Sequence, residues 1–280
     1  MSLTLSNVAQ TEFDALVHAE FRSRGFLLRD TVYTKSDVVG ATCQFRKMSQ
    51  VVANQVGYQT TIAIQDPNFT AHTATLLKYA AGVATDEIQD LTVNFSSKEE
   101  LAMCVAHAVG RRADQIIINA IEAGVGTPVP VGGTNMSYAK LRHVVQLFED
   151  NAVPIDERYI AMSGNNLRAL LASDQIISRF YTSNDAVATG TLDKRDILGM
   201  NVRIIPSMVE GGLSITGTER VCLAWAKRAV GMAIGQDLRT EVNYLPRDVS
   251  WFVNGLFFAG AIAIDSRGIF TITCDESVNP

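Results

Sequence analysis

Between Ser96 and Gly124 the chain reads "SSKEELAMCVAHAVGRRADQIIINAIEAG". Apolar residues recur there at Leu101, Val105, Ala108 or Val109, Ala113, Ile116, Ile117, Ala120 and Ile121, a stripe at the period of an α-helix. Glu100, Arg111, Arg112, Asp114 and Glu122 occupy the remaining faces. Ser96 and Ser97 each stand three residues before a glutamate, Glu99 or Glu100, so either closes a capping box. Gly124 is expected to form a left-handed C-terminal cap, and Gly126, Pro128 and Pro130 prevent continuation. At 1.5 Å per residue such a helix runs roughly 40 Å, more than a compact domain of ordinary width needs.

Before this helix the period changes to two. Ala41, Cys43 and Phe45 alternate with polar neighbours, as do Tyr58, Ile62 and Ile64, and "QDPNFT" is expected as a turn between "YQTTIAI" and "TAHTATLLK". The segment is rich in Gln, Asn, Thr and Ala. A two-stranded ribbon with so few large apolar side chains is marginal in water and needs a partner, either the rest of the chain or a neighbouring molecule. Upstream, "TEFDALVHAEFRSRG" predicts a short amphipathic helix with Phe13, Leu16, Val17 and Phe21 on one side. The following "FLLRDTVYTKSDVVG" reads as an extended arm without a second apolar face to close a core.

Downstream of the long helix, "GVGTPVPVGGTN" reads as a loop. A second amphipathic helix follows in "SYAKLRHVVQLFEDN", with Leu141, Val144, Val145 and Phe148 inward. "VPIDERYIAMS" reads as a strand, "GNNLRALLASDQII" as a helix, and "ILGMNVRIIPSM" as a buried strand. "ERVCLAWAKRAVGMAIG" is expected as a strand passing into a helix, and "SWFVNGLFFAGAIAIDSRGIFTITC" as closing strands joined by a "DSRG" turn. Helices and strands mix without regular βαβ alternation, so the fold class is α+β. No fixed-period repeat or low-complexity tract interrupts the pattern.

Composition narrows the function more than the fold. A chain of 280 residues with 47% hydrophobic and 19% charged content is an ordinary globular protein. Lys plus Arg number 24 against 29 Asp plus Glu, and the net charge of -5 argues against a surface built to hold nucleic acid through many phosphates. Cys43, Cys104, Cys222 and Cys274 lie far apart without a CxxC pair, which favours free thiols. The first residues carry Glu12 and Asp14 and no apolar core segment, so no signal peptide is expected. The longest apolar run, Leu256 to Ile264, falls short of the about 20 residues a membrane span needs.

The search for chemistry returns little. The glycines from Gly124 to Gly133 lack a Gly-Lys-Ser/Thr ending and are interrupted by two prolines, so a connecting loop explains them better than a phosphate cradle. Cys104 and His107 share a helix face, but with His18, His72 and His143 isolated elsewhere no second ligand pair completes a metal site. Ser163 in "MSGNN" lacks the flanking glycine of a nucleophile elbow and fits a helix N-cap. No nucleophile, base and oxyanion donor assemble, so no catalytic residue, cofactor or metal is assigned. The adjacent Arg111 and Arg112, near Asp114, must point to different faces of the long helix and can bridge separate partners.

Several stretches together carry a family resemblance. "VNFSSKEELAMCVAHAVGRRADQIIINAI", "VPIDERYIAMSGNNLRALLASDQIISRFY", "LGMNVRIIPS", "AWAKRAVGMAIGQDLRTEVNYLPRDVSWFVNGLFFAGAIAID" and "GIFTITCDES" follow one another from about Gly40 to Ser277. In that order they resemble the tailed-phage major capsid proteins of the Hong Kong 97 fold. The resemblance implies an N-terminal arm over 1–40 and an extended loop over 41–77. It implies a peripheral domain over 78–135 built on a spine helix at 96–124, an axial domain over 136–234, and strands over 235–280 returning to the peripheral domain.

It also implies a structural task, self-assembly into hexamers and pentamers of an icosahedral head enclosing double-stranded DNA, in a virion assembled in the host cytoplasm. Expected partners are further copies of the chain, a separate scaffolding protein, a portal protein and a possible cement protein, with no sequence-specific DNA binding and no membrane. Arg111, Arg112 and Asp114 on the helix, with Lys47 and Tyr58 in the extended loop, are the candidate subunit contacts. Lys47 lies where some relatives crosslink, but no partner asparagine is assignable and no crosslink is assumed. Bacterial encapsulins resemble the same architecture, so a shell around enzyme cargo is the alternative.

Overall fold

The computed structural model describes residues 25–62, 64–86, 97–130, 132–172 and 197–278. The helix expected over 11–25 lies outside them apart from Gly25, as does the end of the helix expected from Gly164.

Strands β1 (Tyr33–Lys35), β2 (Thr42–Met48), β3 (Phe69–Thr75) and β4 (Leu77–Asp86) precede the long helix α1, Ser97–Ala123. Its Val105, Val109, Ala113, Ile117, Ile118, Ala120 and Ile121 are buried, so the i, i+4 stripe read from the sequence faces the core. Gly124 does not take the expected left-handed conformation. A Cβ there would stand 2.0 Å from the Ala263 Cβ, so the residue serves close packing against a strand instead.

After α1 come β5 (Thr127–Val129), α2 (Tyr138–Asp150), β6 (Arg158–Ser163), α3 (Gly164–Leu171), β7 (Asn201–Ile205) and β8 (Ile215–Thr216). The chain then forms β9 (Glu219–Ala226), β10 (Val230–Leu245), β11 (Ser250–Ala263) and β12 (Ile269–Asp275). Helix α2 starts at Ser137, which accepts from the Lys140 amide, and buries Leu141, Val144 and Phe148. Ser163 caps α3 by accepting from the Asn166 amide at 3.2 Å, the role its sequence context suggests. The loop expected after Gly124 contains β5, which pairs in parallel with β12.

Two sheets organise the body. One has the order β1-β10-β11-β4, and α1 packs across β11, β10 and β4. The other runs β5-β12-β9-β6-β7, with β8 beside β9. The helix expected within "AWAKRAVGMAIG" is absent: a single 3-10 turn at Lys227–Ala229 leads into the 16-residue strand β10. Val230 to Ile234 are all buried, and such a run looks alike at either period. Pairing decides it, since β10 lies against β11 from Val230↔Ala263 to Leu245↔Ser250. The division expected after 234 therefore falls inside one strand. Nor do residues 235–280 stay together, because β12 joins β9 in the second sheet along Ile269↔Trp225 to Asp275↔Glu219.

The expected arm is corrected in its described part. Leu28 and Val32 are 0% and 1% exposed and belong to the main core, with Trp225, Phe257 and α1 residues. Trp225 donates its indole N–H to the Thr31 carbonyl at 3.0 Å, and β1 pairs in parallel with β10. Two apolar residues four apart supply the inward face that the extended reading missed.

Candidate subunit-contact surfaces

Strands β2 and β3 form a two-stranded antiparallel ribbon, in register from Thr42↔Thr75 to Met48↔Phe69. Its root is built by alternation: Cys43 and Phe45 turn inward and meet Ala74, Leu76 and Ala233 in a small cluster separate from the main core. Partly buried Val38, Phe258, Ile262 and Ile264 pack around it. Ser49 donates its amide to the Asn68 carbonyl at 2.9 Å, and pairing then ceases.

The strand expected around Tyr58, Ile62 and Ile64 does not form, and the ribbon closes by a long loop rather than by a turn at "QDPNFT". Within that loop Gln65 clamps Val52, accepting from its amide at 3.1 Å and donating to its carbonyl at 2.7 Å. Thr60 donates to the Gly57 carbonyl at 2.6 Å. Tyr58 is fully exposed, and Val51, Val52, Ile62, Ile64 and Phe69 are exposed with it. A strand there would need an edge to pair with, and no strand of this chain lies beside it among the described residues.

Lys47 is engaged within the chain. Its ammonium lies 2.8 Å from Asp265, which also accepts from Arg267 at 2.9 Å. Partial burial opposes ionisation of Asp265, but hydrogen bonds from Arg267 and Lys47 outweigh it and hold the carboxyl at about 2. The ribbon root is thus pinned to the turn between β11 and β12 by an ion pair as well as by packing.

The three candidates on α1 have separate fates. Asp114 is 3% exposed, and its carboxylate accepts from the Leu27 amide at 3.1 Å and the Leu28 amide at 3.0 Å. It therefore fastens the chain's own early segment to α1 and is not a surface contact. Burial raises its pKa, the two amides oppose that, and the nearby Asp30 adds to the rise, with a net value of about 6. Arg111 is half-buried, and its backbone is crowded by two glycines. A Cβ on Gly25 would come within 2.3 Å of the Arg111 nitrogen, and one on Gly211 within 2.9 Å of its carbonyl oxygen. Arg112 keeps 42% of its side chain exposed, with its guanidinium 5.0 Å from the Tyr79 ring centre and 4.0 Å from Glu210. Arg112 is therefore open to a partner where Asp114 is sealed.

Sequence reading missed the rest of the fastening. Arg29 forms a two-pronged pair with Asp237 at 3.0 and 2.6 Å, and Asp30 pairs with Arg203. Only the spacing of Leu28 and Val32 could have signalled that this stretch docks. Ile204 on the outer strand β7, Met208 and Val209 just after it, and Ile215 on β8 are also exposed and also escaped notice. Among the described residues no three His, Cys, Asp or Glu gather as metal ligands, and no helix is long and apolar enough to cross a membrane.

Comparison with known proteins places this architecture. No curated protein matches the sequence. The fold is similar to the capsid of cyanophage P-SCSP1u, at 16% identity and a TM-score of 0.75, covering 96% of this chain and 92% of that one. It is also similar to the head of Helicobacter pylori bacteriophage KHP40, at 9% identity and a TM-score of 0.73, with 94% and 95% covered. The capsid of Ralstonia phage GP4 aligns at 11% identity and a TM-score of 0.71, with 93% of each chain covered. These likenesses establish the fold; the sequence itself adds a match to the family model for phage capsid protein over residues 5–276. A match of that extent shows that the chain belongs to the phage capsid protein family.

Proposed function

We propose that this chain is the major capsid subunit of a tailed phage, in the Hong Kong 97 arrangement, and that it builds the icosahedral head by repeated contact with copies of itself. The observation that carries the reading is the ribbon tip, where Val51, Val52, Tyr58, Ile62 and Ile64 are exposed beyond a well-packed root. Soluble monomers rarely leave such a run uncovered, and a neighbouring subunit is the natural cover. In this arrangement 41–77 acts as the extended loop, α1 as the spine of a peripheral domain, and the second sheet as the axial domain, while the segment around Leu28 and Val32 is part of the body. Hexamers and pentamers then close through heterologous contacts, individually weak and strong in sum.

The role is structural, without turnover, in the wall of the virion. A scaffolding protein, a portal and packaged double-stranded DNA are its proposed partners, and assembly takes place in the host cytoplasm. No observation favours the alternative of a shell around enzyme cargo. Electron microscopy of the purified full-length protein, alone and with its scaffolding partner, tests the reading. Closed shells are expected, and a protein that stays monomeric with its scaffold present overturns it.

A further inference from the structure

Two clefts flank the ribbon root. One, of about 720 Å³, contains Lys47, His72 and Arg267, but Asp265 sits against both Lys47 and Arg267 and answers their charge. The other, of about 780 Å³, is lined by Tyr33, Lys35, Gln44, Phe45, Arg46, Arg228 and Ile264, without a carboxylate among its lining residues. Lys35 donates to the Gln44 carbonyl at 3.0 Å and stands 4.6 Å from the Phe45 ring centre, so neither neighbour neutralises it. The exposed Arg46 side chain has no ion-pair or hydrogen-bond partner among the described residues. Arg228 meets Glu157 at 2.8 Å, yet its side chain is 81% exposed, and a pair in that much water binds weakly. The lining of this cleft thus carries three cations and no acid, in a chain whose overall charge is -5.

From this arrangement we infer that the second cleft is a phosphate-binding site, one per subunit, that takes backbone phosphate of the double-stranded DNA inside the shell. The inference rests on the capsid reading above. Two arginine forks, an ammonium, a phenol and a side-chain amide are the groups that hold phosphodiester oxygens, and a set of this kind reads no base. An acidic peptide is the poorer occupant. Peptide docking draws its affinity from apolar anchors in pockets, and here Phe45 is 2% exposed and already sealed, which leaves only Tyr33 and Ile264 as apolar lining beside three cations. The excess of acids elsewhere repels DNA, so the contact is local and loose.

Fluorescence anisotropy of a short labelled DNA duplex with the unassembled full-length chain tests this, at salt from 50 to 200 mM. Neutralising two phosphates gives a slope of about -1.8 in log affinity against log salt. The double variant Arg46→Gln with Arg228→Gln is expected to lose roughly tenfold in affinity at low salt and to flatten that slope by about 1.8. Inorganic tripolyphosphate should displace the duplex from the unmodified chain. Unchanged affinity and slope in the double variant overturn the inference, as does capture of a labelled polyglutamate peptide with no capture of the duplex. Arg46→Gln alone removes an exposed side chain without a partner among the described residues, so its own loss of affinity reads the site even if the double variant is unstable. Micrographs separate the two claims. Closed shells from a double variant with unchanged DNA affinity sink the cleft and leave the shell standing, whereas a chain that binds phosphate through these residues but never assembles keeps the cleft and sinks the shell.

Discussion

Phe45 and Tyr58 belong to one ribbon, yet the first is 2% exposed and the second fully exposed. At the root, β2 and β3 find a floor in Ala233 and its neighbours on the first sheet. Past Ser49 the same chain carries valine, isoleucine and tyrosine into solvent. The body differs from both, for there Leu28, Ile117, Trp225 and Phe257 meet in a continuous core drawn from segments far apart in sequence. The contrast separates two stabilities. The body is held by its own residues, the root by a small cluster and an ion pair, and the tip by a few local hydrogen bonds, the Gln65 clamp on Val52 and the Thr60 bond to Gly57. A subunit built so carries a packed body and an uncovered loop on one polypeptide.

The largest effect should come from the body. Trp225→Ala removes a fully buried ring that stacks on Tyr159 and holds Thr31. It is expected to cost about 3–5 kcal/mol in denaturant unfolding of the unassembled subunit and to abolish particles with it. A cost below about 1 kcal/mol would mean the body yields as readily as the ribbon.

Asp114 comes next. Asp114→Ala leaves the Leu27 and Leu28 amides without their acceptor and is expected to cost about 1–3 kcal/mol. The pH dependence has a definite sign. The folded value of about 6 lies above the ordinary 3.8, so the folded state binds the extra proton. This contribution is whole below about 3.8 and is lost as pH rises through about 6. Asp265 behaves oppositely: with a folded value of about 2, its contribution is present above the ordinary 3.8 and lost as pH falls toward 2. Acid should therefore loosen the ribbon root over a range where the Asp114 fastening holds, and hydrogen exchange at pH 3 and pH 6.5 in the two regions checks this.

A smaller effect is expected from Lys47→Ala. Global stability should change by no more than about 0.5–1 kcal/mol, because the pair is partly exposed and Arg267 remains on Asp265. Amides of β2 and β3 should nevertheless exchange faster than those of β10. Equal exchange in the two would show that packing alone pins the root.

The smallest folding effects belong to the surface. Tyr58→Ala and Arg112→Ala are each expected to shift unfolding by less than about 0.5 kcal/mol while lowering particle yield in micrographs. Unchanged yield for both would remove them from the contact surface and turn attention to Ile204, Met208, Val209 and Ile215.

By itself the sequence determined the elements whose signals are local. Helix α1 was legible because its stripe and the residues beyond its end act within a turn or two, and the Ser163 cap was legible for the same reason. The poverty of the ribbon in core residues was legible as composition. Tertiary structure alone decided what depends on distant partners. "RAVGMAIG" became strand because β11 lay beside it, the stretch around Leu28 became core because α1 and Trp225 covered it, and Asp114 became a fastener because two amides of that stretch reached it. Local periodicity reports which face of a segment is apolar. What that face will meet is a free energy shared with residues tens to hundreds of positions away, and it exists only once the chain has closed.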